Sequence, residues 1–189
     1  MKRYKALALV SILGLGACAV SETSTGWDPS RSATPSEQNA NSRSVAEAVA
    51  NFKNSDPGIS RFFDNAQGYA IFPTVGKGGV GVGGAYGKGE VYERGRLVGY
   101  SSITQLTIGV QAGGQAYSEI IFFRDRSDLD DFRNGNFEFG AQASAVAITA
   151  GASANAGYSN GVAVFTLAKG GLMYEATVAG QKFNFTPVN

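Results

Sequence analysis

The chain has no histidine and a single cysteine among its 189 residues. Without an imidazole, it cannot form a Ser-His-Asp or Cys-His nucleophile or a histidine-ligated metal centre. One cysteine also excludes an intrachain disulfide and a cysteine cluster that would hold zinc or an iron–sulfur group. The composition therefore predicts no metal, no cofactor and no enzyme of these classes.

Charged residues are also few, at 16% of the chain, and the two signs nearly cancel. Lys and Arg number 16, Asp and Glu number 15, and the net charge is +1. This balance predicts no nucleic-acid binding driven by overall charge. Hydrophobic residues make up 43% of the chain, which is enough to bury a core, and the length suits one compact domain with an appendage.

The first 18 residues, MKRYKALALVSILGLGAC, have the pattern of an export signal. A basic start precedes an apolar run, Ala6 to Gly16, that is shorter than the ~20 residues a membrane-spanning helix needs. Leu15-Gly16-Ala17-Cys18 resembles the bacterial lipobox, whose cysteine thiol receives a diacylglycerol. We therefore expect residues 1–17 to be a lipoprotein signal peptide and Cys18 to be the acylated first residue. The alternative is an ordinary signal peptide with an incidental cysteine.

The lipobox resemblance also implies a location. Lipoproteins of this type carry three acyl chains, so the anchor is stable, and Ala19 replaces the Asp associated with inner-membrane retention. The expectation is the cell envelope, at the periplasmic face of the outer membrane. Removal of residues 1–17 takes away three positive charges, Lys2, Arg3 and Lys5, and changes the net charge from +1 to −2.

Residues 18–43 are rich in Ser, Thr, Asn and Pro, which is typical of a flexible tether, and residues 44–189 form the predicted domain. That domain opens with two helix signals. Val45, Ala48 and Phe52 recur at helical spacing, and Asp56-Pro57 has the pattern of an N-cap followed by a first-turn proline. We expect a short helical hairpin over residues 44–65, whose apolar stripe packs on a sheet or lies on lipid.

From Gly68 onward the hydrophobic period changes to two, between glycine-rich turns. The predicted strands are Tyr69–Pro73, Gly79–Tyr86, Glu90–Arg94, Leu97–Val110, Gln115–Phe123, Phe137–Ala150, Val162–Ala168 and Leu172–Val178. Turns are expected at 87–89, 113–114, 134–136 and 169–171, and one small helix at Ser127–Arg133. The predicted fold is α+β and predominantly antiparallel β, a curled sheet or barrel-like domain with an N-terminal helical hairpin.

Two glycine motifs match catalytic patterns without their context. Gly76-x-Gly78-x-x-Gly81 fits the dinucleotide fingerprint, but it leads into another predicted strand instead of opening a helix. Gly157-x-Ser159-x-Gly161 fits the nucleophile elbow. Without histidine only a Ser-Lys arrangement remains for Ser159, with Lys169 or Lys88 as nominal partners. A turn between strands explains the segment more simply.

Asp125, Asp128, Asp130 and Asp131 form the densest acidic cluster, but they lack the spacing and central glycine of a calcium loop. Acidic residues at a helix N-terminus, beside Arg124, Arg126 and Arg133, account for them better.

Basic residues in or beside glycine-rich turns are the remaining candidates for a site. Ammonium and guanidinium groups on short loops can meet phosphate headgroups, and each contributes about 1 kcal/mol near an anionic surface. The candidates for headgroup binding are Lys77, Lys88 and Lys169, followed by Arg94 and Arg96. Scattered solvated charges are the alternative interpretation.

Four segments in order carry a resemblance to a known family: YAIFPTVGKGGVGVGGAYGKGEVY, LTIGVQAGGQAYSEIIFF, NGNFEFGAQASAVA and GVAVFTLAKGGLMYEATVAGQKFNF. Together they resemble the SYLF domain family, which includes yeast actin-patch regulators, from about Val45 to Pro187. The resemblance implies a lipid-binding domain. In eukaryotic relatives a basic amphipathic helix contributes to membrane binding, but SVAEAVANFKN here has no basic face. The actin role is not carried over, because most bacteria lack actin.

These observations predict an envelope lipoprotein, anchored through Cys18, whose SYLF-like domain binds anionic phospholipid headgroups at a membrane surface without catalysis. The alternative is a structural lipoprotein that binds another envelope protein and contacts lipid only through its acyl anchor. A small hydrolase using Ser159 is a third class.

Overall fold

The computed structural model describes residues 35–135, 137, 139, 145–170, 178 and 180–188. Three α-helices lie in these ranges, α1 (Pro35–Ser55), α2 (Ser60–Asn65) and α3 (Arg126–Arg133). A 3-10 turn over Pro57–Ile59 joins α1 to α2, and its N-cap is Asp56, as the Asp-Pro signal predicts. Helix α1 begins at Pro35, so residues 35–43, which were predicted to belong to the flexible tether, are helical.

Hydrogen bonds hold the first half of α1 to the sheet. Asn41 Nδ2 and Ser42 Oγ donate to Oε1 of Glu90, at 2.9 and 2.8 Å, and Glu90 is fully buried. The Tyr92 hydroxyl donates to Oε2 of the same carboxyl at 2.5 Å. Because these contacts are polar, the apolar spacing that marks a helix in the sequence begins only at Val45.

Strands β1 (Gly68–Glu93) and β2 (Arg96–Phe123) form one antiparallel hairpin, paired from Gly68 opposite Phe123 to Glu93 opposite Arg96. The turn residues Arg94 and Gly95 both have positive φ, 49° and 77°. The hairpin bends back on itself near its middle, where the register shifts between Val80 and Val82. As a result, the first half of β1 lies against its own second half.

The bend divides the sheet into two leaves. Leaf one contains β1 before the bend, β2 after the bend, β4 (Val162–Gly170) and the two-residue β3 (Val146–Ala147), which runs parallel to β4. Leaf two contains the second half of β1, the first half of β2, and β5 (Gln181–Pro187). The strand order β1-β2-β4-β3, with β5 on β2, leaves the sheet open over the described residues.

Glycine permits the close crossing of the two halves of β1. A Cβ atom on Gly89 would overlap the carbonyl oxygen of Ile71 and lie 2.6 Å from Cδ1 of Phe72. A Cβ atom on Gly87 would lie 2.9 Å from the carbonyl oxygen of Thr74. These glycines let two backbones approach without an intervening side chain. The dense glycine run 76–84 lies at the bend, between the two halves of β1.

Leaf one buries both of its faces, and the sequence shows this as a continuous apolar run at 120–123. Ile121 and Phe123 face the interior between the leaves, where they join Val162 of β4 and Phe183 of β5 in one core cluster. Ile120 and Phe122 face the other way and pack against α1 and α2 in a second cluster, which includes Val45, Ala48, Phe52, Ile59 and Phe62. The helical hairpin therefore packs on the sheet.

Helix α3 covers the interior between the leaves. Its Phe132 ring lies 5.0 Å from Phe123 of leaf one and 5.1 Å from Phe183 of leaf two, centroid to centroid. The helix begins at Arg126, one residue earlier than predicted, with Asp125 as N-cap. The Asp125 N–H donates to the Asp128 carboxylate at 3.0 Å, so Asp125 and Asp128 form a capping box.

Two predicted turns are wrong, and of the predicted turn 169–171 the described residues 169–170 lie inside β4. Residues 87–89 and 113–114 lie inside β1 and β2, because their glycines serve the crossing and the bend instead of reversing the chain. The turn at 134–135 is confirmed, with Gly135 at a φ of 71°.

Of the predicted strand 137–150, only Val146–Ala147 is a strand among its described residues, and a 3-10 turn follows at Ala152–Asn155. The predicted strand Leu172–Val178 lies outside the described residues except for Val178. Strand β5 was not predicted.

The predicted α+β fold with a curled, mostly antiparallel sheet is confirmed. Within the described ranges, no helix combines the length and the apolarity that crossing a bilayer requires.

Candidate functional site

Exposed apolar side chains lie beside lysines on the outer face of leaf two. Tyr86, Thr104 and Lys182 are direct partners across three neighbouring strands, so their side chains share one face. Leu106 follows two residues after Thr104, and Lys88 two residues after Tyr86, on the same face. We call Tyr86, Lys88, Thr104, Leu106 and Lys182 the outer patch.

The exposure of the outer patch is unusual for its residue types. Leu106 is 72% exposed and Tyr86 47%, and with Val188 they are the large hydrophobic residues exposed among those the structure describes. Isolated exposed hydrophobic residues need no explanation, but an apolar pair flanked by two lysines resembles a surface that meets lipid. The next carboxyl group along β1, Glu90, is buried under α1, where it accepts hydrogen bonds from Asn41 and Ser42.

Two of the predicted lysines, Lys88 and Lys169, lie near the crossing of β1, and Lys77 lies between that crossing and the bend. Lys169 Nζ contacts Thr74 Oγ1 at 2.8 Å, and the Thr74 backbone lies against Gly87, the neighbour of Lys88. Lys77 pairs with Gln115 on leaf one, three residues after Thr74. The fold therefore brings Lys77, Lys88 and Lys169 to one region, although they are far apart in sequence.

Arg94 and Arg96 lie at the other end of leaf two. Arg94 forms the hairpin turn, where its backbone N–H donates to the Gln67 carbonyl at 3.1 Å, and Arg96 opens β2 opposite Glu93. Six strand residues, roughly 20 Å, separate Arg94 from Lys88. The structure does not bring these two arginines together with the three lysines.

The nucleophile-like motif at Ser159 forms a tight turn. Ser159 N–H donates to the Val162 carbonyl at 2.8 Å, and Asn160 and Gly161 both have positive φ, 49° and 81°. Ser159 precedes β4 and Lys169 lies near the far end of that strand, roughly 20 Å away by strand geometry. The two side chains therefore do not form a Ser-Lys pair, and the turn interpretation of this segment is confirmed.

The glycine and acidic motifs also have structural roles. Gly76, Gly78 and Gly81 lie within β1, which no helix follows, so the dinucleotide context is missing. Asp130 forms ion pairs with Arg126 and Arg133, at 3.6 and 3.7 Å. Over the described residues, no group of three or more His, Cys, Asp or Glu residues is arranged to hold a metal ion.

One acidic side chain lies inside the core. Glu119 is fully buried between the leaves, and its Oε2 accepts a hydrogen bond of 2.9 Å from Gln181 Nε2. Burial raises the pKa of Glu119 to about 8, and the Gln181 hydrogen bond opposes that rise. Tyr117, 3.4 Å from the same amide, has its pKa raised by burial and by Glu119.

Sequence reasoning missed Leu106 and Tyr86 as surface residues because both lie in strands whose alternation does not say which face meets solvent. Cys18, the predicted acylation site, lies outside the described residues.

Residues 104–186 match the Ysc84 family model, described as Las17-binding protein actin regulator. A curated relative, Beta cell expansion factor A of Aeromonas veronii, is 26% identical over 145 residues, which cover 72% of this chain and 52% of that protein. The chain thus spans about half the length of this relative. These matches confirm the resemblance to the SYLF family, and the family match includes Leu106, Lys169 and Lys182.

Proposed function

Because residues 104–186 match the SYLF (Ysc84) family model, we propose that this chain is an envelope lipoprotein whose β domain binds anionic phospholipid headgroups through the outer patch. Family membership supports lipid binding and gives no support for an enzymatic role. The observation that carries the proposal is the exposure of Leu106 and Tyr86 between Lys88 and Lys182.

The composition of the outer patch suits a membrane interface. Tyrosine places an apolar ring and a polar hydroxyl at headgroup depth, and lysine extends its ammonium group towards phosphate oxygens. Each lysine near an anionic surface contributes about 1 kcal/mol, and a buried leucine about 1.5–3 kcal/mol. Such a surface binds weakly by itself, and an acyl anchor at Cys18 would raise its local concentration.

The path of the chain is compatible with this arrangement. Asn41 and Ser42 of α1 bind Glu90, two residues from Lys88, so the first half of α1 lies beside the outer patch. Sixteen residues lie between Cys18 and Pro35, and an extended segment of that length reaches up to about 60 Å. An anchor at Cys18 therefore leaves the outer patch free to reach the same membrane.

Vesicle flotation tests the proposal with a chain that lacks residues 1–18. We expect binding to phosphatidylglycerol vesicles at low salt, little binding to phosphatidylcholine vesicles, and weaker binding as salt screens the lysines. Reversing Lys88 and Lys182 to Glu should weaken binding at least tenfold. The matched control reverses Arg94 and Arg96 at the opposite end of leaf two and should change little.

Absence of binding to anionic vesicles at low salt would refute the proposal. Equal loss in both double variants would assign binding to overall charge instead of the outer patch. Reversal of Lys77 and Lys169 then measures whether the lysines of leaf one share the surface. A protein partner retained from detergent extract, together with negative flotation, would favour the structural-lipoprotein alternative.

A further inference from the structure

A separate cavity of about 230 Å³ lies between α2 and the loop that precedes β4. Its walls are apolar and aromatic with a few polar groups, as in most small-molecule sites. The lining residues are Arg61, Phe62, Asn65, Ala156, Gly157 and Tyr158. Because ligand pockets of drug-sized molecules begin near 300 Å³, this volume suits a fragment about the size of one ring.

The Arg61 guanidinium is held rigidly at this cavity. Its Nη2 donates to the carbonyl oxygens of Ser153 and Ala156, at 2.6 and 2.7 Å, and its Cζ lies 4.8 Å from the centre of the Phe62 ring. Carbonyl groups orient a guanidinium without cancelling its charge. Among the described residues, no carboxylate forms an ion pair with Arg61 within 4.0 Å. The cavity therefore has a fixed positive charge on its wall.

The Tyr158 hydroxyl adds a hydrogen-bonding group that the fold does not use. Its oxygen is enclosed and has no hydrogen-bond partner among the described residues. The ring is fixed by the Phe62 ring, 5.6 Å away between centroids. Burial raises the pKa of Tyr158 while the charges of Arg124 and Arg61 oppose the rise, so the hydroxyl keeps its proton at neutral pH and can donate it.

Arg124 and Asp125, which also act on Tyr158, form an ion pair of 2.9 Å and largely cancel each other. Arg61 is the charged group that lines the cavity itself. A positive charge, an unused hydroxyl donor and two aromatic rings together match an oxyanion carried on a small apolar body.

We propose that this cavity, which we call the Arg61 pocket, binds a small organic anion, with a carboxylate or phosphate group at Arg61 and Tyr158 and a ring or short alkyl chain against Phe62. The Gly157-x-Ser159 segment then contributes a wall to a binding site. The outer patch lies on leaf two, whereas the Arg61 pocket lies beside α2, so the two proposals stand or fall separately.

Nuclear magnetic resonance titration of the full chain carrying Cys18→Ser tests the proposal. Benzoate represents a free organic anion, soluble dihexanoyl phosphatidic acid represents a lipid headgroup, and benzyl alcohol is the uncharged control. We expect at least one anion to shift the amide signals of residues 61–65 and 153–158 saturably, and benzyl alcohol to bind at least tenfold more weakly. The anion that binds more tightly identifies the source of the oxyanion.

Two conservative variants assign the contacts. Tyr158→Phe keeps the ring but removes the hydroxyl, and it should weaken anion binding about fivefold. Arg61→Lys keeps the charge but loses the planar guanidinium with its fixed N–H donors, and it should weaken anion binding about tenfold. Arg43→Lys on α1 is the matched control and should have no effect. The proposal is overturned if neither anion saturates these signals, if benzyl alcohol binds equally well, or if Tyr158→Phe, judged folded by its spectrum, binds as tightly as the parent.

Discussion

Gln181 Nε2 donates a 2.9 Å hydrogen bond to Glu119 Oε2 in the interior of the protein and thereby joins β5 of leaf two to β2 of leaf one. Both residues are fully buried. The second carboxyl oxygen of Glu119 has no partner among the described residues, and neither does the hydroxyl of Thr166, its direct partner on β4. A neutral, protonated carboxyl group suits this environment far better than a carboxylate.

The first prediction concerns stability against pH. Because burial raises the pKa of Glu119 from 4.5 to about 8, the contribution of this group to stability is complete below pH 4.5 and is lost as pH rises towards 8. Within that window the free energy of unfolding should fall by about 1.4 kcal/mol per pH unit from this group. Glu119→Gln, which resembles the protonated form, should remove the decline.

Urea unfolding of parent and Glu119→Gln at pH 5, 6, 7 and 8 measures the difference. The variant should gain on the parent steadily as pH rises, which separates this effect from a constant change caused by the substitution. Parallel stability curves for the two proteins would show that Glu119 is not the titrating group.

The second prediction concerns the crossing of β1 on itself. Gly89→Ala places a Cβ atom against the Ile71 carbonyl and the Phe72 ring and should lower the free energy of unfolding by about 1–3 kcal/mol or more. Gly76 lies in the same strand, and a Cβ atom added there would meet no atom within 4 Å, so Gly76→Ala is the matched control. Thermal unfolding of both variants checks the prediction, and equal midpoints would contradict a close crossing at Gly89.

The run of β-branched and aromatic residues at 120–123 predicted a strand of leaf one, in which Ile120 and Phe122 face the helices while Ile121 and Phe123 face the interior. The sequence could not show that β1 and β2 each continue through glycine-rich segments, since glycine at a crossing and glycine in a turn look alike in one dimension. Strand β5 was also missed, although the buried Gln181 and Phe183 alternate with exposed Lys182 and Asn184.

The sequence predicted that lysines form the candidate site, but it did not predict which of the basic residues lie close together. Lys88 and Lys169 were identified from charge and neighbouring glycines, and their proximity follows from the fold through Thr74 and Gly87. The exposure of Leu106 and Tyr86 could not be predicted from the sequence. A strand residue can be assigned to the solvent side only when it is known which face of the sheet is covered. Arg94 and Arg96 satisfied the same composition rule and yet lie at the opposite end of leaf two.

The third prediction concerns Asp56, which joins two 3-10 turns that lie far apart in sequence. Its carboxylate accepts hydrogen bonds from the backbone N–H groups of Ser153, at 2.6 Å, and Gly58, at 3.1 Å. These bonds, chiefly that of Ser153, hold the pKa of Asp56 below its ordinary 3.8 against the opposing effect of burial. The stability they provide is present above pH 3.8 and is lost as pH falls below it.

Asp56→Ala should therefore lower the free energy of unfolding by about 1–3 kcal/mol at pH 7, because it leaves two N–H groups without their acceptor. Asp64→Ala, an exposed carboxylate on α2, is the control and should change little. Chemical unfolding at pH 7 compares the three proteins. An Asp56→Ala variant as stable as the control would show that water replaces the carboxylate without cost.

The fourth prediction separates the apolar and electrostatic parts of membrane binding. Leu106→Asn removes apolar contact without changing charge, so it should weaken binding to phosphatidylglycerol vesicles about tenfold at both low and high salt. Lys88→Glu should instead matter most at low salt. Val188 is also an exposed apolar residue, at 39%, but its N–H binds Val98 near the opposite end of leaf two, so Val188→Asn is the matched control. Flotation across a salt series distinguishes the three variants, and an equal effect of Leu106→Asn and Val188→Asn would remove the outer patch from the membrane contact.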